Sequence, residues 1–98
     1  MPRYLVERTY TVGMDKLPVI ATRSKALGHH RFPEITWEHS HVVLDSAGVP
    51  MSFCVYEAPN EEVLRQHAAL LGDHIVQVVY EIAGDVTPAD FPLTDLPE

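Results

Sequence analysis

The sequence holds a single cysteine, Cys54, among its 98 residues. One cysteine cannot form a disulfide within the chain, which is typical of proteins from a reducing compartment. No run of residues approaches the ~18 consecutive apolar side chains of a membrane-spanning helix. The first residues, Met1 to Arg8, lack the apolar run of a signal peptide and include an acid and two arginines. We therefore expect a cytoplasmic protein that is not associated with membranes.

Basic residues are scarce as well. The chain has 7 Lys and Arg against 14 Asp and Glu, for a net charge of −7. Such a chain repels phosphates, so nucleic acid is not an expected partner. The motifs G-x-G-x-x-G, C-x-x-C and H-E-x-x-H are absent from the sequence. The sequence therefore does not predict a dinucleotide-binding protein, a dithiol redox protein or a zinc metalloprotease.

The residues that are present fit one small folded domain. Hydrophobic residues make up 46% of the chain and charged residues 21%, as in ordinary globular proteins. We predict a domain over residues 1–84 and an acidic, proline-containing tail over residues 85–98. A domain of this size buries only ~60–65% of its unfolded surface, so dimerisation would supplement a thin core.

Hydrophobic periodicity and the five glycines divide the domain into six elements. One predicted helix begins at an N-cap on Asp15 and ends at Gly28, followed by a loop with His29 and His30. The other predicted helix begins at an N-cap on Asn60 and ends at Gly72. Four strands, rich in β-branched and aromatic residues, are predicted over residues 3–10, 34–44, 49–58 and 74–83.

The predicted order is β-α-β-β-α-β, which is the ferredoxin-like α+β pattern. Right-handed crossovers then give a four-stranded antiparallel sheet with two helices on one face. Regular alternation places Tyr4, Val6 and Arg8 on one side of the first strand, and it groups Ile75 with Val79 on the fourth. Both sheet faces are partly apolar, so we expect a second copy to cover the open one. The predicted assembly is a homodimer of the α+β barrel type.

Two histidines of the second strand, His39 and His41, form the best candidate for a metal site. Residues i and i+2 of a strand point to the same face ~6.5–7 Å apart, so both imidazoles can reach one ion. Regular alternation places Trp37 on that face too. Nickel, zinc and copper suit imidazole and thiolate ligands, and candidates for a third ligand are Cys54, His67, His74 or a residue of a partner subunit. The alternative is an exposed strand that merely tolerates two histidines.

Each of three further candidates also has a structural alternative. His67 lies in the apolar stripe of the second helix, where it is either a hydrogen-bonded core residue or a group for metal binding or proton transfer. Cys54 is either a small buried hydrophobe or a ligand. Glu7 lies within an apolar strand, so it needs a partner such as Arg8 or Arg65, or a polar cavity.

Three stretches of the sequence carry a resemblance to a known family: the opening Tyr4 to Arg8, the segment Trp37 to Ser40, and the run Cys54 to Ala68. Here the chain resembles a small bacterial family of unassigned function, whose best-described kind is a nickel-binding, ferredoxin-like dimeric protein. The resemblance implies a βαββαβ protomer, a dimer and binding of a divalent ion. His39 and His41 are not part of the family pattern, and the region between Gly13 and Pro33 is shorter than the family's. Positions matching the family are Glu7, Trp37, Ser40, Cys54, Tyr56, Asn60, Glu61 and His67.

Three functions remain open from the sequence. The first is a small dimeric protein that binds a divalent metal, with His39, His41, Cys54 and His67 as candidate metal ligands. The second is a dimeric barrel enzyme, of the isomerase or cofactor-free monooxygenase type, in which His67 or Glu7 moves a proton. The third is a small-ligand binding module without catalysis. The residues expected to contact a bound small molecule are Glu7, Trp37, Ser40 and Tyr56. We favour the first function.

Overall fold

The computed structural model describes residues 1–96 and shows the predicted order of elements. The strands are β1 (Arg3–Tyr10), β2 (Thr36–Leu44), β3 (Pro50–Glu57) and β4 (His74–Glu81), and the helices are α1 (Leu17–Arg31) and α2 (Glu61–Leu71). All strand pairs are antiparallel, and the sheet order is β2-β3-β1-β4. This confirms the ferredoxin-like α+β fold, with a single sheet and two helices. Pro97 and Glu98, at the end of the predicted tail, lie outside the described residues.

The core lies between the helices and one face of the sheet, which we call the helix side. On β1, Tyr4 and Val6 are paired with Tyr56 and Cys54 of β3, and all four side chains are buried. Leu64 of α2 packs against them in the same cluster. Successive side chains of a strand point to opposite faces, so every second residue of β1 and β3 enters the core.

Helix α2 has the predicted caps and the predicted buried stripe. The Asn60 side chain accepts a hydrogen bond from the backbone N–H of Val63 at 3.0 Å, which satisfies one of the free donors of the first turn. At the other end Gly72 has a φ of 74°, a conformation that favours glycine. The buried residues of the helix are Leu64, His67, Ala68 and Leu71.

The two predicted ends of α1 are wrong. Asp15 lies in a 3₁₀ turn, Met14–Lys16, and no side chain caps the helix that follows. The helix continues through Gly28 to Arg31, so His29 and His30 lie in its last turn rather than in a loop. Gly28 does not adopt the positive φ of a helix-ending glycine. The next stop signal is Pro33, which disfavours helical geometry at the residue before it.

A β-bulge in β2 overturns one prediction about faces. Trp37 pairs with Tyr56 and His39 pairs with Val55, so Glu38 is an extra residue between them. The bulge shifts the alternation by one position. The expectation that Trp37 shares a face with His39 is therefore wrong, because Trp37 lies on the helix side and His39 on the other.

A second bulge, in β4, has the same effect. Glu7 pairs with Val78 while Arg8 pairs with Val76, which leaves Gln77 as the extra residue. Val79 consequently pairs with the buried Val6, on the helix side, whereas Ile75 faces away from the helices. The prediction that Ile75 and Val79 share a face is wrong for this reason.

The sheet face opposite the helices, which we call the open face, is partly apolar. Ile75 and Tyr80 at the β4 edge are 58% and 51% exposed, and Leu5 and Phe53 nearer the centre are half-buried. At the centre of the same face Val55 is buried, at 8% exposure. Within residues 1–96, no helix has the length and apolar character needed to cross a membrane.

Candidate functional site

The sheet divides the predicted site residues between its two faces. Trp37, Ser40, Cys54 and Tyr56 lie on the helix side, where His67 of α2 faces them. On the open face lie three others, Glu7, His39 and His41, as the strand registers require.

An open cleft of about 560 Å³ lies between α1 and β2 on the helix side. Its wall includes Ser24 from α1, Trp37 from β2 and His67 from α2. A smaller inner cavity of about 80 Å³ shares Ser24, Trp37 and Tyr56 with the cleft. The helix side therefore contains two adjoining spaces rather than a completely filled core.

His67 is fixed by one hydrogen bond and two aromatic neighbours. Its Nε2–H donates to the backbone carbonyl of Ser24 at 3.3 Å. Its ring meets the Phe32 ring edge-on at 5.5 Å and lies 6.4 Å from the Tyr56 ring, measured between centroids. Burial lowers the pKa of His67, because the charged imidazolium loses hydration there. Nδ1 is buried and has no hydrogen-bond partner among the described residues. A neutral imidazole with a free Nδ1 lone pair thus borders the cleft.

Trp37 and Ser40 are joined across the bulge in β2. The indole N–H of Trp37 donates to Ser40 Oγ at 2.9 Å. Trp37 remains 39% exposed, so its ring forms part of the wall of the cleft and is accessible to solvent. This contact holds the ring next to both cavities.

Cys54 and Tyr56 lie deeper. The Cys54 thiol is buried and lies 3.3 Å from Ser52 Oγ, which is itself 2.8 Å from the Tyr10 hydroxyl. Burial raises the pKa of Tyr56, so the phenol stays neutral at ordinary pH. These polar groups form a short chain along β3 behind the inner cavity.

Arg8 is the functional candidate that the sequence analysis did not include. It is 2% exposed, and its guanidinium lies over the Tyr56 ring at 5.4 Å from the centroid. Strand alternation had already placed Arg8 on the face of Tyr4 and Val6, and that was the available signal. A cation on the apolar face of a central strand is rare without a partner.

Within the described part of one chain, Glu7 does not pair with either of the arginines named for it. Glu7 and Arg8 are consecutive in β1, so their side chains point to opposite faces. Arg65 instead forms a salt bridge with Glu61, one turn earlier in α2, at 2.8 Å. Within residues 1–96, Glu7 forms no salt bridge with either arginine, and it lies half-buried on the open face.

His39 and His41 lie side by side on the open face. Their ring centroids are 5.4 Å apart with the planes nearly perpendicular, and both residues are exposed. Glu7 is on the same face but two strands away, since His41 pairs with Phe53 and Phe53 pairs with Glu7. In the part of the chain that the structure describes, no group of three His, Cys, Asp or Glu side chains is placed to hold a metal ion.

The geometry defines a ferredoxin-like α+β protein with a cleft under its helices and a paired-histidine open face. A family model described as "Nickel responsive protein SCO4226-like" matches residues 4–82. The chain belongs to this family, which confirms the resemblance on which the sequence analysis relied. A search of curated proteins and a search of solved structures each give no match.

Proposed function

We propose that this protein binds a divalent metal ion, nickel in the first place, on the open face of a cytoplasmic homodimer. The observation that supports this most is the exposed pair of imidazoles, His39 and His41, whose ring centroids lie 5.4 Å apart. The family description adds support, because it associates relatives of this chain with nickel.

The donor chemistry fits such an ion. Neutral imidazole is a good ligand for Ni²⁺, Cu²⁺ and Zn²⁺, and the two rings are close enough to share one ion. A tightly held first-row metal ordinarily has three or more protein ligands, whereas His39 and His41 provide two. His39 and His41 of one chain therefore supply only two ligands, and the remaining donors come from elsewhere.

A second copy of the chain is the proposed source of those donors. The open face exposes apolar side chains such as Ile75 and Tyr80, and a sheet with one uncovered apolar face gains stability when it is covered. A twofold-related copy stacked sheet to sheet buries this face in a self-complementary way. Glu7 has a half-buried carboxylate on the same face, and stacking of two copies would bring it towards the histidine pair. We take it as the proposed third ligand of the metal ion. Cys54 and His67 lie on the other side of the sheet and are not part of this site.

The test is a calorimetric titration with Ni²⁺ on protein purified without a histidine tag. The His39→Ala/His41→Ala double variant should lose the binding that the unaltered protein shows. The chain offers a matched control in His29 and His30, an exposed pair at the end of α1 with centroids 4.8 Å apart. The His29→Ala/His30→Ala variant should bind nickel as the unaltered protein does. Unchanged binding in the His39/His41 variant would overturn the proposal.

A second candidate function, a small-molecule enzyme of the isomerase or cofactor-free monooxygenase type, is favoured by the cleft that reaches His67. A neutral imidazole with a free Nδ1 is suited to accept a proton from a bound substrate. The test is a screen of small carbonyl compounds by amide NMR. A compound that binds in the cleft should shift the amide resonances of Ser24, Trp37 and His67. The enzyme function would be supported if the protein also converts that compound and the His67→Gln variant does not. A cleft that binds none of the compounds would remove it.

A further inference from the structure

The inner cavity contains a buried cation without a counter-ion. Arg8 lines this cavity of about 80 Å³, together with residues of α1, β2 and β3. None of the lining residues is Asp or Glu, and Arg8 forms no salt bridge within residues 1–96. Since arginine keeps its proton in proteins, the positive charge persists although Arg8 is only 2% exposed.

The atoms of Arg8 that lack partners form a specific pattern. Nε and Nη2 are both buried, and neither has a hydrogen-bond partner in the described part of the chain. These two nitrogens lie on the same edge of the guanidinium, and their N–H groups point in parallel. This edge is the one that holds a carboxylate by two parallel hydrogen bonds.

The neighbouring side chains do not neutralise the charge. Tyr56 presents its ring to Arg8, and a neutral aromatic face offsets only part of the cost of burying a cation. The hydroxyls of Tyr10 and Ser52 are engaged with each other at 2.8 Å. An isolated charge and two free donors are costly in such a place, so the arrangement calls for an anion.

We propose that the inner cavity binds a small carboxylate, held side-on by Nε and Nη2 of Arg8, with its apolar end against α1. A volume of about 80 Å³ is several times the ~10–15 Å³ that one water molecule needs, so an anion of a few heavy atoms has room in it. That is the size class of formate and acetate. Apolar side chains of α1, Leu17 and Ile20, line the cavity and suit a methyl group better than bulk water. Entry is from the cleft, with which the cavity shares Ser24, Trp37 and Tyr56.

This site is independent of the proposed metal site. Arg8 and the cavity lie on the helix side of the sheet, whereas His39 and His41 lie on the open face. His39 also borders the cleft, but neither histidine lines the cavity. A protein that does not bind nickel should therefore still bind the carboxylate, and a protein that does not bind the carboxylate should still bind nickel. The two proposals can fail separately.

The experiment uses Trp37, the one tryptophan of the chain, as a reporter, because it lines both spaces. Sodium acetate is titrated into the full chain in the presence of a chelator, and sodium chloride at equal ionic strength is the reference. Acetate should give a saturable change in tryptophan fluorescence that chloride does not give. In ¹⁵N NMR, the Nε–H resonance of Arg8 should shift along the same binding curve. Absence of a saturable acetate response would overturn the proposal.

Variants assign the binding to the guanidinium. Arg8→Met keeps an unbranched, flexible side chain without the charge, and it should weaken acetate binding by about tenfold or more. Arg8→Lys keeps the charge but loses the paired donors, and it should also bind more weakly. The control is Arg65→Met, an exposed arginine of α2, which should bind acetate as the unaltered protein does. Equal acetate affinity in Arg8→Met would overturn the proposal. If that variant does not fold, the Nε–H shift in the unaltered protein still decides.

Discussion

The imidazole of His67 on α2 donates a hydrogen bond to the backbone carbonyl of Ser24 on α1, with 3.3 Å between Nε2 and the oxygen. This contact joins the two helices at the floor of the cleft. A carbonyl can only accept, so the proton is on Nε2 and the lone pair is on Nδ1. Burial keeps the imidazole neutral by lowering its pKa, whereas the carbonyl acceptor by itself favours the charged form.

We predict that the protein loses stability as the pH falls below about 6.5, the ordinary pKa of histidine. Burial lowers the pKa of both His67 and His74, whereas the unfolded chain has the ordinary value of ~6.5. As pH falls below that value, the unfolded state binds protons that the folded state does not. The free energy of unfolding then decreases by up to ~1.4 kcal/mol per pH unit for each histidine.

Urea unfolding at a series of pH values, in metal-free buffer, measures this dependence. The His67→Gln variant keeps a side-chain N–H for the Ser24 carbonyl but does not titrate, so its slope should be shallower. The exposed His29→Gln variant should keep the original slope. A His67→Gln slope equal to that of the unaltered protein would show that His67 does not contribute.

The cap of α2 gives a second prediction. Asn60→Ala removes the hydrogen bond that the Val63 N–H donates to the Asn60 side chain. We expect it to lower the free energy of unfolding by about 1 kcal/mol, with a range of roughly 0.5–2. Asn60→Ser and Asn60→Asp should lose much less, since both side chains can cap. Chemical denaturation distinguishes these outcomes, and equal losses for all three variants would contradict the capping role.

Two leucines of α2 give a third prediction. Leu64 is 1% exposed and belongs to the core cluster, whereas Leu70 is 58% exposed. Leu64→Ala should destabilise the protein by roughly 2–5 kcal/mol, because it removes apolar contacts and leaves a cavity. Leu70→Ala should change stability by no more than about 0.5 kcal/mol in the isolated protomer. Similar effects of the two substitutions would contradict the packing described for α2.

Much of the fold follows from local signals in the sequence. Helix α2 has an N-cap at Asn60, an apolar stripe through His67 and a glycine at its C-terminal end, and each of these features agrees with the others. The strands were predicted to within a few residues, because their composition and the turns between them are distinctive. Consistent local signals of this kind also determine the order of elements, and hence the topology.

The parts that were predicted wrongly depend on longer-range information. Glu38 and Gln77 are bulge residues, and pairing with the neighbouring strand, rather than local propensity, decides where such a residue is inserted. A single insertion moves every later side chain to the other face, as it does for His39 relative to Trp37. Arg8 was placed on the correct face, but only the packing of α1 shows that a cavity lies against that face.

The open face gives a fourth prediction, on the oligomeric state. Ile75→Asp/Tyr80→Asp puts two charges on side chains that are exposed in the protomer. We expect this variant to keep its folded circular-dichroism spectrum and to sediment as a monomer, since buried unpaired charges oppose the proposed interface. Val19→Asp, at a position 62% exposed on α1, should remain a dimer. A double variant that still sediments as a dimer would place the interface on another surface.

Nickel binding by a dimer is tested most directly by native mass spectrometry of the tag-free protein with added Ni²⁺, because one spectrum gives both the copy number and the metal content. We predict a homodimer that carries nickel, and a His39→Ala/His41→Ala dimer that carries none. A nickel-free monomer from the unaltered chain, or nickel retained by the double variant, would contradict this prediction.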